Sequence, residues 1–211
     1  MPDDAIAMMV HCVFLHCLLL PMNASNKICQ QWPLADPNIE ILIDLFNETF
    51  LNTHQTALVC CESEPIYRPA QGDQTLHQIV FAQGFFASAL HEIAHWCIAG
   101  PKRRLLEDFG YWYEPDGRSA QRQKQFETVE IKPQALEWLF TLACNRRFHF
   151  SADNLTAQAG VSAQFQQNVY TQAQTYLTQG MPQDAMTWFK ALEQSFRPNH
   201  PLRLSDINPH A

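Results

Sequence analysis

The chain has 211 residues, a length that suits one compact domain, and 46% apolar against 17% charged residues is enough to bury a core. Its net charge of −7, with no long Lys/Arg run, argues against direct nucleic-acid binding, which depends on neutralising phosphates. The seven cysteines are scattered without a CxxC pair, a pattern of reduced thiols in a cytoplasmic protein and not of a disulfide framework.

Residues 1–37 read as an N-terminal extension, disordered or upstream of the true start. The apolar run Ala5–Leu20 is preceded by Asp3 and Asp4 and by no Lys or Arg, unlike a signal peptide. It is too short, and too interrupted by His11 and His16, to span a bilayer, so no membrane association is expected. Trp32–Pro37 is punctuated by prolines and reads as a linker, placing the start of the domain near residue 38.

From there Ile39, Leu42, Leu45, Phe46 and Phe50 recur at helical spacing and predict an amphipathic helix. "ALVCC" and "QIVFA" read as short buried strands, and "ESEPIYRPAQGDQ" between them as a loop. Gly84 ends the second strand. "FFASALHEIAHWCI" then predicts a helix anchored by Phe85, Phe86, Leu90, Ile93 and Ala94, and stopped by Gly100-Pro101. Lys102, Arg103 and Arg104 form a basic turn, read as a solvated helix end or a docking patch.

The aromatic run in "DFGYWYEPDGR" predicts a strand closed by a Pro115-Asp116-Gly117 turn. A helix over "SAQRQKQFETVE", with Ser119 as a candidate cap, is kinked or restarted at Pro133 and continues as buried "QALEWLFTLACNRRF". Two further helices are expected near Ala163–Thr178 and Pro182–Phe196, and the domain ends near residue 198 with a loose tail over 199–211. The fold class is α+β: a mainly helical single domain with a small sheet, its HExxH helix facing a second, acidic helix.

The chemistry sits in "HEIAH". Residues i and i+4 share a helix face, so His91 and His95 can aim two imidazoles at one ion, with Glu92 able to reach a metal-bound water from the side. A third ligand is required. The extended peptidase pattern is absent, because Ile98 and Pro101 stand where it needs Gly and His. The acidic helix offers Glu127, Glu130 and Glu137, and Glu130, flanked by Val129 and Ile131, is the preferred carboxylate. Two histidines and a carboxylate serve zinc or non-haem iron. Non-haem iron oxygenases usually carry such ligands on strands, with one His and a carboxylate first, whereas here both His come first and on a helix, so the pattern leans to a cytoplasmic zinc metallopeptidase, with a redox enzyme or a non-catalytic binding protein with a structural metal as the alternatives.

"EPIYRPA", "IVFAQGFFASALHEIAHWCIAGPKRR", "DFGYWYEPDGR" and "QFETVEIKPQALEWLF" together resemble the bacterial elongation factor P hydroxylase family. The resemblance is dense from Glu64 to about Phe140. It implies hydroxylation of a lysine of elongation factor P that already carries a β-lysyl group, at a two-His-one-carboxylate non-haem centre using dioxygen. It makes His91, His95 and Glu130 the ligands and Glu92 an outer partner or weak ligand. It favours Fe(II), because hydroxylating an unactivated C–H bond needs a redox metal, although zinc or another divalent ion can fill such a site on purification. The substrate arm implied is long and cationic. Acidic and aromatic residues, Glu64, Tyr67, Tyr111, Tyr113 and Glu114, with Glu62 and Trp112 beside them, are candidates to receive it.

Overall fold

A computed structural model describes residues 34–110, 120–151 and 161–208. Helix α1 (Ile39–His54) leads into strand β1 (Thr56–Glu62), followed by β2 (Ile66–Arg68) and β3 (His77–Ala82). Helix α2 (Phe86–Arg103) carries the HExxH spelling; α3 (Ala120–Ala143), α4 (Ala163–Gln179) and α5 (Gln183–Phe196) complete the bundle. Short 3-10 turns lie at Glu107–Gly110 and Leu204–Asp206. The class is α+β, mainly helical with one small sheet.

The sheet has the order β1-β3-β2. β1 runs parallel to β3, with Leu58 opposite Ile79, and β2 antiparallel to it, with Tyr67 opposite Ile79. The segment "ESEPIYRPAQGDQ", read as a loop, therefore contains a strand. Three residues are too few for a periodic signal, and the pairing with β3 is what holds them extended.

Helix α2 is the axis of the fold. Phe86, Ala89, Leu90, Ile93, Ala94, Trp96 and Cys97 are all buried, and the helix packs against α3, α5 and β3. Phe85 is 39% exposed, so it is the residue that precedes the helix and not one of its anchors. The turn from β3 into α2 depends on Gly84: its φ is +75°, and a Cβ there would meet the Cβ of Ala35 at 2.6 Å. At the other end Gly100, with φ 69° and ψ 169°, breaks the helix, and Pro101 opens one further turn.

An aromatic cluster joins three helices. Phe46 and Phe50 of α1 meet Trp96 of α2 at 5.6 and 4.9 Å, and Phe46 meets Trp188 of α5 at 5.4 Å. Arg104 belongs to this core and not to a basic patch. It is 8% exposed, lies 3.6 Å over the Trp96 ring, donates from Nε to the Trp96 carbonyl at 3.0 Å and pairs with Asp184 at 2.7 Å. Arg103 donates to the Phe109 carbonyl at 2.8 Å, which leaves Lys102 as the exposed cation of the three.

Both ends of the domain are tied down further than the residue pattern suggests. Asp36, inside the expected linker, accepts from both terminal nitrogens of Arg146 at 2.6 and 2.9 Å. Just before the stretch read as loose, Arg197 donates to the Leu142 carbonyl at 3.0 Å, and within it Leu202 N–H donates to Glu193 at 2.6 Å and Ile207 is 3% exposed. Helix α3 runs through Pro133 as one element, while α4 starts where Ser162 Oγ accepts from Phe165 N–H at 3.1 Å. Cys97 and Cys144 are buried free thiols, and the Cys60 and Cys61 sulfurs lie against one another on β1. No described helix is long and apolar enough to cross a membrane.

Candidate metal centre

Helix α2 turns His91 and His95 toward α3, where the chain supplies an unusual buried polar stripe. Glu130, Gln134, Glu137 and Thr141 are 4%, 1%, 6% and 6% exposed. Their spacing of three and four residues puts them on one face. Two carboxylates at this depth need partners, since burying an unpaired charge is costly.

The partners are the two histidines. The Nε2 atoms of His91 and His95 lie 3.0 Å apart. Glu130 Oε1 is 3.2 Å from His95 Nε2, and Glu130 Oε2 is 3.6 Å from His91 Nε2. Donors that bind one ion at about 2.1 Å stand roughly 3.0 Å apart at octahedral angles and roughly 3.4 Å apart at tetrahedral ones. The separation of the two nitrogens, and that of each nitrogen from the Glu130 oxygen nearest it (Oε1 for His95, Oε2 for His91), fall around these values. Among the described residues, buried Glu130 Oε2 also has no hydrogen-bond partner. Among the described residues, this trio is the group whose ligand atoms come within 4.8 Å of one another. Two imidazoles and one carboxylate, one of whose oxygens is unpartnered among the described residues, fit a divalent metal.

Electrostatics within the group are strong. Burial pushes the Glu130 carboxyl up, but the His95 and His91 imidazoles and the Gln134 amide outweigh it and hold it at about 2. Burial pushes His91 down, yet Glu137, then Glu130 and Glu92, keep it well above the usual imidazole value. Glu92 is raised by burial, opposed by the two histidines and reinforced by Glu130 and Asp108.

These shifts give a pH dependence for the metal-free chain. Glu130 is depressed, so its stabilisation is present above about pH 4.5 and lost as pH falls toward its native value. His91 is raised, so its stabilisation is present below about pH 6.5 and lost as pH rises through its native value. The cluster should therefore contribute most in weakly acid solution. Thermal melts in chelator across pH should show it, with the acid limb flattened in Glu130→Gln. An unchanged acid limb in that variant would remove Glu130 as its cause.

Other expected site residues are placed as follows. Glu127 accepts from Ser162 Oγ at 3.2 Å at the start of α4, apart from the cluster. Asp108 Oδ1 accepts from the Tyr67 backbone N–H at 2.9 Å. Tyr67 is a core side chain and not a channel wall: it is 1% exposed, stacks on Phe109 at 4.2 Å and donates its hydroxyl proton to the Arg104 carbonyl at 2.8 Å. Burial pushes its phenol up to about 12. Glu64 is exposed between β1 and β2, and Glu62 is held by a two-pronged pair with Arg68 at 2.7 and 2.8 Å. Tyr111, Trp112, Tyr113, Glu114 and Ser119 lie outside the described residues.

Glu137 has a place that residue order alone leaves open. Its Oε2 is 2.8 Å from His91 Nδ1, the nitrogen turned away from the centre. The available signal was its interval of seven residues from Glu130, two helical turns on the same face.

Known sequences similar to this chain identify its family. The family described as elongation factor P hydroxylase matches residues 45–206. A curated relative from Haemophilus influenzae, named elongation factor P lysine hydroxylase, is 48% identical over 170 residues, 81% of this chain and 96% of the relative. With the match running from α1 to the last 3-10 turn and enclosing both α2 and α3, the chain belongs to the elongation factor P hydroxylase family.

Proposed function

We propose that this protein hydroxylates the β-lysylated lysine side chain of translation elongation factor P at a non-haem metal centre, with dioxygen as oxidant and Fe(II) as the working metal. The observation that carries the reading is the meeting of His91, His95 and the orphaned carboxylate of Glu130 in a chain 48% identical to a named lysine hydroxylase. In this reading His91, His95 and Glu130 hold the ion, and when bound it supplies the redox chemistry that oxygen insertion into an unactivated C–H bond requires.

The chain's own residues then do three things. Glu130 neutralises the ion's charge from a site 4% exposed, where water competes little for it. The apolar side of α2, from Leu90 to Ala94, keeps the two imidazoles on a rigid helix instead of a loop. Glu92, beside the centre, is an outer group that can hold or move a proton there. For the cationic substrate arm, the proposed acceptors are Glu64, Tyr111, Tyr113 and Glu114, with the reaction taking place in the cytoplasm.

The test is an intact-mass and peptide-mass comparison of β-lysylated elongation factor P made with this protein or with its His91→Ala variant. One added oxygen on the modified lysine, absent with the variant, is the expected result. No added oxygen with the parent protein, while a known family member hydroxylates the same substrate, would refute it. Glu92→Gln separates the peptidase alternative. A zinc peptidase that uses Glu92 as its base should lose all activity while keeping its metal. The hydroxylase should keep part of its activity, measured in the same mass assay.

A further inference from the structure

We infer that Glu137 is a positioning residue for the metal centre: it fixes the tautomer and ring orientation of His91, so that Nε2 is the ligating atom. The inference rests on the reading of His91, His95 and Glu130 as metal ligands. It begins with an accounting of buried charge. Glu137 is 6% exposed, and the partner found for its carboxylate is the imidazole of His91, at 2.8 Å from Nδ1. A carboxylate oxygen can only accept here, so Nδ1 carries the proton and Nε2 is the nitrogen left to bind an ion. That same Nε2 lies 3.0 Å from His95 Nε2 and 3.6 Å from Glu130 Oε2.

One helix thus supplies both layers of the site. Glu130 faces the centre, and Glu137, two turns further along α3, faces the back of one ligand. A carboxylate behind an imidazole holds the ring in place and makes its far nitrogen a better donor. The support is one-sided: among the described residues, His95 has contacts through Nε2 and none is found for its Nδ1.

The bland alternative is a core ion pair that only fastens α2 to α3. The two roles separate by measuring metal affinity apart from stability. The full chain would be titrated with Co(II), followed by visible absorption, for the parent, Glu137→Gln and Glu137→Ala. Glutamine keeps an acceptor oxygen at nearly the same place, whereas alanine removes it. The expected result is a loss of about 10–100-fold in Co(II) affinity for alanine, the range typical of such supporting partners, and a smaller loss for glutamine. In the Zn(II)-loaded, 15N-histidine-labelled protein, a protected His91 Nδ1–H signal should be present in the parent and in Glu137→Gln, and absent in Glu137→Ala.

If both variants bind Co(II) within about twofold of the parent, below the range expected of such a partner, Glu137 is a fastening and the inference is overturned. If alanine does not fold, Glu137→Leu takes its place and decides by the same criterion, since it fills the space of the side chain and has no acceptor for His91 Nδ1–H. If the parent itself binds no Co(II), the metal reading of the site fails and this inference falls with it.

Discussion

Replacing Glu130 by glutamine should abolish metal binding and hydroxylation while leaving a folded protein. The substitution keeps the volume of a side chain that is 4% exposed, so packing against α2 is retained. What changes is charge. The anionic oxygens that face His95 at 3.2 Å and His91 at 3.6 Å become a neutral amide. A divalent ion would then have two imidazoles and no compensating negative ligand in a buried site. Losing an outer partner of a metal ligand costs roughly 10–100-fold in affinity, so losing a ligand itself should exceed about 100-fold. Metal titration and the mass assay should show both effects together. Glu127→Gln is the matched control: its carboxylate accepts from Ser162 at the start of α4, and its loss should leave metal affinity as in the parent. Should Glu127→Gln lose the metal and Glu130→Gln keep it, the assignment of the carboxylate would be reversed.

The second large effect concerns stability. Trp96→Ala should destabilise the protein by about 3–5 kcal/mol, the usual cost of removing a buried aromatic side chain and leaving its cavity. Trp96 is wholly buried, with Phe46 and Phe50 on its edges and the Arg104 guanidinium 3.6 Å over its face. It is also one residue from His95, so the same packing that stabilises the fold holds the second histidine's turn of α2. Its indole N–H has no hydrogen-bond partner among the described residues. Trp96→Phe therefore gives up no hydrogen bond and should cost clearly less than alanine. Urea denaturation of the three proteins would measure this, and equal losses for phenylalanine and alanine would contradict it.

Much of the helical framework was legible because helix periodicity is a local property. Ile39, Leu42, Phe46 and Phe50 mark the buried face of α1 with no knowledge of what covers it. Gly100-Pro101 likewise marks a break that the backbone makes at Gly100. The mistaken expectations have one thing in common. Tyr67, Arg104, Asp36 and the C-terminal stretch all owe their positions to contacts across 37 or more residues or across separate elements. An arginine in a basic triplet reads as surface until a tryptophan face and an aspartate from another helix are placed against it. A three-residue strand such as β2 reads as loop until β3 is beside it.

The same division runs through the centre itself. By itself the sequence determined that two histidines would share one face of a helix, because one helical turn separates i from i+4 whatever the rest of the chain does. It also narrowed the third ligand to the carboxylates of a single acidic segment. Its apolar neighbours Val129 and Ile131 favoured Glu130, but where each carboxylate lies relative to the histidines was decided by tertiary structure. The crossing of α2 and α3 fixes which side of α3 meets the histidines; that crossing brings Glu130 to both Nε2 atoms, sets Glu137 behind His91 and leaves Glu127 to Ser162. Such a choice depends on the rotation of one helix against another some forty residues away, and only the packed core supplies that information.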